Sequence, residues 1–296
     1  MKSNHSVDDY NKLVKRMLSR KDQSKEEAMA ESIGGNFIPF GLIMRHLLLK
    51  YGLKPNDTVC DIGCGAGRLA YALKEMPELK FVGIDVVEDL LDYADQLCER
   101  QDWEFHNSTD FKIPLPDDSV EMVTAFSVFT HLLHEESFMY LCEAQRVLKP
   151  SGKIVFSFLD FSIHSHWAVF RSNIEHLYNR VHLNQFLHEG AIRVWCKHLN
   201  LNVVDILPGD VKNIPLRAPV TLEDGTVEKE YAALGQSVCV LEKPVHEERE
   251  QLDPRLPVGF NPELYLLANP DVAKANQDPV EHYLAFGRPE GRKLRP

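Results

Sequence analysis

The sequence predicts an α/β protein: a doubly wound, mainly parallel seven-stranded sheet with an N-terminal helical cap and a small C-terminal helical module. Three observations predict it. Short apolar runs alternate with amphipathic helical stretches between residues 57 and 160, the pattern of successive βαβ units with right-handed crossovers. A glycine turn, Gly63-Cys64-Gly65-Ala66-Gly67, joins the first apolar run to the first helix of that series. Two further apolar runs, at 202–207 and 236–243, bring the strands to seven.

Each element has its own signal. Residues 6–30 are charged and helix-prone, and Ser6 is placed to cap a helix that presents Val7, Tyr10, Leu13, Val14 and Met17 along one side. Gly34-Gly35 interrupts this region. With Asn36 the pair reads either as a hinge for an N-terminal lid or as a plain helix–turn–helix. An apolar helix follows over 39–51. Strands are predicted at 57–63, 80–86, 103–107, 119–129 and 152–160, with helices at 67–76, 87–100 and 135–148 between them. The 87–100 helix sets Leu90, Leu91, Ala94 and Leu97 on its inner side. From 163 to 200 the pattern is helical, and Glu223-Asp224-Gly225 marks a small hairpin. Residues 244–256 are charged and proline-bearing, as linkers are. The expected organisation is a cap over 1–54, the α/β domain over 55–243, a linker over 244–256 and a helical module over 257–296, with helices at 262–268 and 279–286. Forty residues bury little surface alone, so the module is expected to pack on the main domain or on a partner.

Composition narrows the function. Of 296 residues, 33 are Lys or Arg and 44 are Asp or Glu, a formal charge of −11 that disfavours a phosphate-backbone partner; no nucleic acid is expected. The most apolar stretch, Phe37 to Leu49, is broken by Arg45 and His46 and is too short for a membrane span. The first residues are polar where a signal peptide carries its apolar region. Six scattered cysteines form no CxxC pair and read as reduced core residues of a cytoplasmic protein; no metal site is expected.

The segment "VCDIGCGAGRLA" (59–70) carries the strongest chemical signal. Gly63, Gly65 and Gly67 let the backbone turn sharply and leave room for a ligand pressed against it. The helix N-terminus beyond offers free N–H groups. Dinucleotide enzymes use GxGxxG, but Arg68 stands where that pattern needs its last glycine, which argues against a nicotinamide-dependent oxidoreductase. In "FVGIDV", Asp85 falls at the tip of the second strand, where a carboxylate accepts hydrogen bonds from both hydroxyls of a ribose.

With these residues the chain resembles the class I S-adenosyl-L-methionine (SAM)-dependent methyltransferases, type 11/25-like, closely over 37–160 and loosely to 243. The segments "IPLPDDSVEMVTAFSVFTHL" (113–132) and "EAQRVLKPSGKIVFSF" (143–158) extend the resemblance to the entry of strand four and the Lys-Pro-x-Gly turn before strand five. The resemblance implies a Rossmann-like fold with SAM as cofactor. Asp61 with the backbone of Gly63 and Gly65 would hold its amino-acid end, with Gly67 also in the cofactor-binding loop. Asp85 would bind the ribose, Val86 would pack on the adenine, Asp110 would reach the adenine amino group beside Phe111, and Ser127 would border the site. The acid usual within strand four is Glu121 here.

Methyl transfer to a hydroxyl needs alignment, exclusion of water and the removal of one proton. His131, after strand four, is the leading candidate base; capping the next helix or packing on the cofactor loop is the other reading. His134, Glu135 and Glu136 read as a solvated helix start rather than as metal ligands. Asp160 and His164, with His166 and Trp167, follow strand five and are weaker candidates, equally readable as a helix N-terminal turn.

The stretch from Phe260 to Pro296, with "NPDVA", "HYLAFG" and "EGR", resembles a short repeat of bacterial glycosyltransferases and other surface-polysaccharide proteins. That implies a bacterial cell and a place in polysaccharide assembly. The expected function is SAM-dependent O-methylation of a sugar hydroxyl on a surface glycan or its precursor. The alternatives are methylation of another small metabolite, or a non-catalytic SAM-binding scaffold or sensor. The expected partners are a small-molecule or glycan acceptor and a protein partner through the C-terminal module.

Overall fold

The computed structural model describes residues 5–20, 24–32, 34–178, 183–245, 255–257 and 260–296. The cap expected of the Ser6 side chain, and most of the 244–256 linker, lie outside the described residues. The charged N-terminal stretch forms two helices rather than one, α1 (His5–Leu18) and α2 (Lys25–Ser32), and the apolar helix α3 spans Phe37–Lys50.

The alternating series then begins with β1 (Thr58–Ile62), α4 (Arg68–Leu73), β2 (Lys80–Asp85), α5 (Glu88–Cys98) and β3 (Glu104–Asn107). It continues through β4 (Val120–Ala125), α6 (His134–Val147), β5 (Leu148–Asp160), α7 (Trp167–Glu175), the two-residue β6 (Phe186–Leu187), α8 (Glu189–Leu199) and β7 (Asn202–Leu207). Two short hairpin ladders follow, β8 (Ile214–Pro215) with β11 (Tyr231–Ala232) and β9 (Val220–Thr221) with β10 (Val227–Glu228), before β12 (Ser237–Glu242). Glu223 and Gly225 lie at the β9–β10 turn, as the sequence predicts.

The sheet runs in the order β3-β2-β1-β4-β5-β12-β7. All neighbours pair in parallel except β12, which is antiparallel to both β5 and β7. These are the seven expected strands; β6, paired with the end of β5, is an addition that two residues without alternation do not announce. The predicted turn before strand five is drawn into β5 itself: Ser151, at φ 64°, donates its N–H to Lys243 and so keeps the ladder to β12 going past Gly152.

Helices cover both faces, which is why β1, β2 and β4 are apolar almost without alternation. Sequence neighbours in β5 divide between the layers. Phe156 packs with Ile62, Leu141 and Leu199 on the α6–α8 side; Val155 packs with Leu47, Leu69 and Phe81 on the α3–α4 side. The connections leave β1 toward β2 and β3 on one side and return to β4 and β5 on the other. A crevice therefore opens beyond the carboxyl ends of β1 and β4, the usual ligand position in open α/β sheets.

The C-terminal module comprises α9 (Pro262–Ala268), α10 (Pro270–Lys274), α11 (Pro279–His282) and one π-turn over Tyr283–Gly287. α10 adds to the two expected helices; Asn269 ends α9 and Pro270 opens the next. Tyr265, Val272 and Tyr283 make a small core of their own. Leu264 inserts among Cys142, Leu199 and Leu201 of the α/β domain, Asn261 donates to the His198 carbonyl, and Arg295 donates to Gln145 at 3.1 Å. The module thus packs on the main domain.

Candidate active site

The crevice is a cavity of about 470 Å³. Its floor is the glycine loop, where Gly63 and Gly67 show why no other residue fits. Both have left-handed φ, 65° and 83°, and a Cβ would lie 2.4 Å from Val128 Cγ2 at Gly63 and 2.8 Å from Ala94 Cβ at Gly67. The first contact lets the β4–α6 loop close against the β1 turn. The second seats the start of α4 on α5.

Two buried carboxylates face this floor from adjacent strand ends. Asp85 accepts N–H bonds from Gly65 (to Oδ2) and Val87 (to Oδ1), both at 2.9 Å, with the Val86 N–H as a further backbone donor. Asp61 accepts the Thr124 hydroxyl at 2.6 Å. Burial raises Asp85 above the ordinary carboxylate range against the pull of its backbone donors. Burial, offset in part by Thr124 and reinforced by Asp85, pushes Asp61 up to about 7. Such a pair favours a ligand that brings hydroxyl donors to one acid and positive charge to the other.

The cavity wall holds Asp61, Gly63, Gly65, Asp85, Val86, Ser127 and His131 of the sequence-predicted residues. Ser127, at φ 58°, donates its N–H to Ser157 Oγ at 2.7 Å, and the Ser157 hydroxyl donates to Gln236 Oε1 at 2.7 Å. His131 sits on the turn before α6 but does not cap it; Leu133 holds the cap position. Its Nδ1 lies 2.7 Å from the Leu183 carbonyl, which only accepts, so the proton is on Nδ1 and the lone pair on Nε2. His134 is tied to the β6 strand instead, with Nε2 2.9 Å from the Phe186 carbonyl.

Five predicted positions stand off the wall. Gly67 lies behind it, against Ala94. Asp110 is exposed and closes a local turn, accepting from Ser108 and Lys112, and it borders a separate groove with Lys293–Pro296. Phe111 reaches the wall only through Tyr140, whose ring it meets edge-on at 5.3 Å. Asp160 accepts the Ser162 N–H at 2.8 Å and donates its own N–H to His166 Nδ1; it terminates β5. His164 is exposed in a single 3₁₀ turn. Of this pair His164 faces water, as a helix N-terminal turn would have it, whereas Asp160 is buried.

Sequence reasoning missed Tyr10, Glu31, Tyr140 and Gln236, all on the wall. Tyr10 and Tyr140 look like ordinary apolar-face residues of α1 and α6, and only docking of those helices turns them inward. Arg68, also on the wall, donates from Nη2 to the Gly35 carbonyl at 2.8 Å; burial lowers it to about 10, opposed by Glu223. Glu223 accepts the Phe37 N–H at 3.2 Å and donates its own N–H to Asn36 at 2.9 Å. The β9–β10 turn and Arg68 thus hold the Gly34-Gly35 junction from two sides.

The fold is the Rossmann-like fold of SAM-dependent methyltransferases, and SAM is the cofactor it indicates; the acid pair, the glycine floor and the switch-point position fit its ribose and its cationic amino-acid end. Residues 60–156 match the family described as a methyltransferase domain. An uncharacterized methyltransferase of Schizosaccharomyces pombe is 29% identical over 117 residues, covering 36% of this chain and 41% of the relative. The ubiquinone biosynthesis O-methyltransferase of Coxiella burnetii is 26% identical over 157 residues, 50% of this chain and 64% of the relative. The chain therefore spans less than two thirds of the length of either. Among solved structures, a chain of the complex between the Haloferax volcanii Trm112 methyltransferase activator and a methyltransferase superposes with a TM-score of 0.57 at 18% identity, covering 82% of this chain and all of that one; this likeness concerns the fold. Among the described residues no helix is long and apolar enough to cross a membrane.

Proposed function

We propose that the protein is a SAM-dependent O-methyltransferase in which His131 accepts the proton of the acceptor hydroxyl. The observation that carries this reading is the pairing, in one cavity, of the Asp61–Asp85 acids with an imidazole whose Nε2 is the basic nitrogen. Bound SAM would supply a methyl group on a sulfonium, from which a neutral thioether is a good leaving group. Asp85 would orient the ribose by accepting from its hydroxyls. Asp61, ionised beside the cationic end, would anchor it. The N-terminal helices exclude water from the cavity. Nε2 of His131 would take the proton of the hydroxyl whose oxygen bonds to the methyl carbon as the carbon–sulfur bond breaks and the thioether leaves.

For the acceptor, we propose a sugar hydroxyl of a bacterial surface glycan or its precursor. Its support is the similarity of residues 260–296 to the polysaccharide-associated repeat. Another small metabolite is the second choice, supported by the O-methyltransferase named among the relatives. A SAM-binding scaffold would bind the cofactor without turnover.

Calorimetric titration of SAM and NAD, followed by transfer of labelled methyl to a panel of glycans and small hydroxyl compounds, tests this. SAM binding with transfer to a hydroxyl supports the reading. NAD binding without SAM overturns it, and SAM binding without transfer to any acceptor favours the scaffold.

A further inference from the structure

The base candidate is held from two sides by segments remote in sequence. On one side Nδ1 of His131 donates to the Leu183 carbonyl, in the segment that leads into β6. On the other, the Tyr10 ring of α1 meets the imidazole edge-to-face, with centroids 5.4 Å apart and planes at 68°. Tyr10 itself faces inward because α1 is seated by packing: Val14 of α1 and Met29 of α2 are buried together with Ala66 of the glycine loop and with Val87 and Leu90 at the start of α5. Leu13 and Met17, further along the same side of α1, also border the cavity. The phenol is half-buried, and burial, with the Asp85 carboxylate nearby, raises it above its ordinary range. Tyr10 therefore stands between the acid that takes the ribose and the imidazole that takes the proton.

We infer that Tyr10 is a positioning residue for His131, through which the helices that cover the cofactor also orient the base. This rests on the function proposed above. An edge-to-face contact is strong enough to shift a side-chain rotamer population by about tenfold. Without it the imidazole is held less firmly against Leu183. The Nδ1–H tautomer, held by that carbonyl, then gives way to the mixture of an unrestrained histidine, and the lone pair no longer points consistently at the acceptor.

The test uses the full chain with Tyr10→Ala, Tyr10→Phe, His131→Gln and the Tyr10→Ala/His131→Gln pair. The first readout is the tautomer of His131 by long-range ¹H–¹⁵N NMR, its signal assigned from the spectrum of His131→Gln. One Nδ1–H tautomer is expected in the parent and in Tyr10→Phe, and a mixture in Tyr10→Ala. The second readout is kcat at saturating SAM. A fall of about tenfold is expected for Tyr10→Ala, recovery to within about twofold for Tyr10→Phe, and no further loss in the double variant than in His131→Gln alone. An unchanged tautomer in Tyr10→Ala overturns the inference. So does a double variant whose losses multiply, or a Tyr10→Phe that behaves like Tyr10→Ala. Should no acceptor be methylated by the parent, the functional reading fails, while the NMR readout still decides the Tyr10–His131 relation.

Discussion

Thr124 donates its hydroxyl to Asp61 across 2.6 Å, from the strand paired with β1 at the point where the sheet reverses its connections. Neither residue contacts solvent to any extent: Asp61 is 4% exposed and Thr124 is fully buried. A single hydroxyl only partly offsets the cost of burying a carboxylate, so Asp61 titrates near neutrality, at about 7. Its ionised form is the one that a cationic ligand group would complete.

Cofactor affinity is therefore expected to depend on pH on the acidic side of neutrality. Below about 7 the neutral carboxyl no longer attracts an ammonium, and SAM affinity falls by up to about tenfold per pH unit. Calorimetry from about pH 6 to pH 8.5 checks this, and flat affinity across that range sinks it.

The same group sets a stability trend of opposite sense. Its folded pKa is raised above the ordinary 3.8, so the native state holds a proton that the unfolded chain has lost between about pH 4 and 7. Stability of the cofactor-free protein from this group falls as pH rises through that window. Asp61→Asn is expected to raise Tm by a few degrees at about pH 8, to change it little at about pH 4, and to weaken SAM binding.

Asp85→Ala removes the acceptor of the Gly65 and Val87 N–H groups as well as the ribose contacts. A loss of about 1–3 kcal/mol in SAM binding free energy is expected by titration.

Gly63→Ala places a methyl 2.4 Å from Val128 Cγ2 at a φ of 65°. SAM binding should fall by more than about tenfold, because both the clash and the left-handed backbone act on the floor of the cavity. Adding Val128→Ala relieves the clash and not the backbone strain, so partial recovery of affinity is the expected result. Full recovery would show that the left-handed φ is without cost.

Glu223→Ala leaves the Phe37 N–H at the start of α3 without its carboxylate acceptor, at a cost of about 1 kcal/mol. Limited proteolysis should then cut near Gly34-Gly35 several times faster, with SAM protecting the parent more than the variant.

Legibility in the sequence followed the range of the interactions concerned. β1, β2, β4 and α5 were readable because burial on both sheet faces, or on one helix face, writes itself as a local apolar pattern. Asp61, Gly63, Gly65 and Asp85 were readable for a related reason: a strand end, a turn and the next strand end are fixed by a short stretch of chain. The sequence by itself thus determined the sheet and the glycine turn between the two strand-end acids. Tertiary structure alone decided the rest. Tyr10 and Tyr140 border the cavity because α1 and α6 dock with those faces inward. Gln236 is there because β12 inserts antiparallel beside β5, and Asp110 is left outside by its own side-chain turn with Ser108 and Lys112. The tautomer of His131 depends on a carbonyl 52 positions away, and its ring contact depends on a helix from the far end of the chain. No local pattern encodes such contacts, since they exist only once separately folded segments pack together.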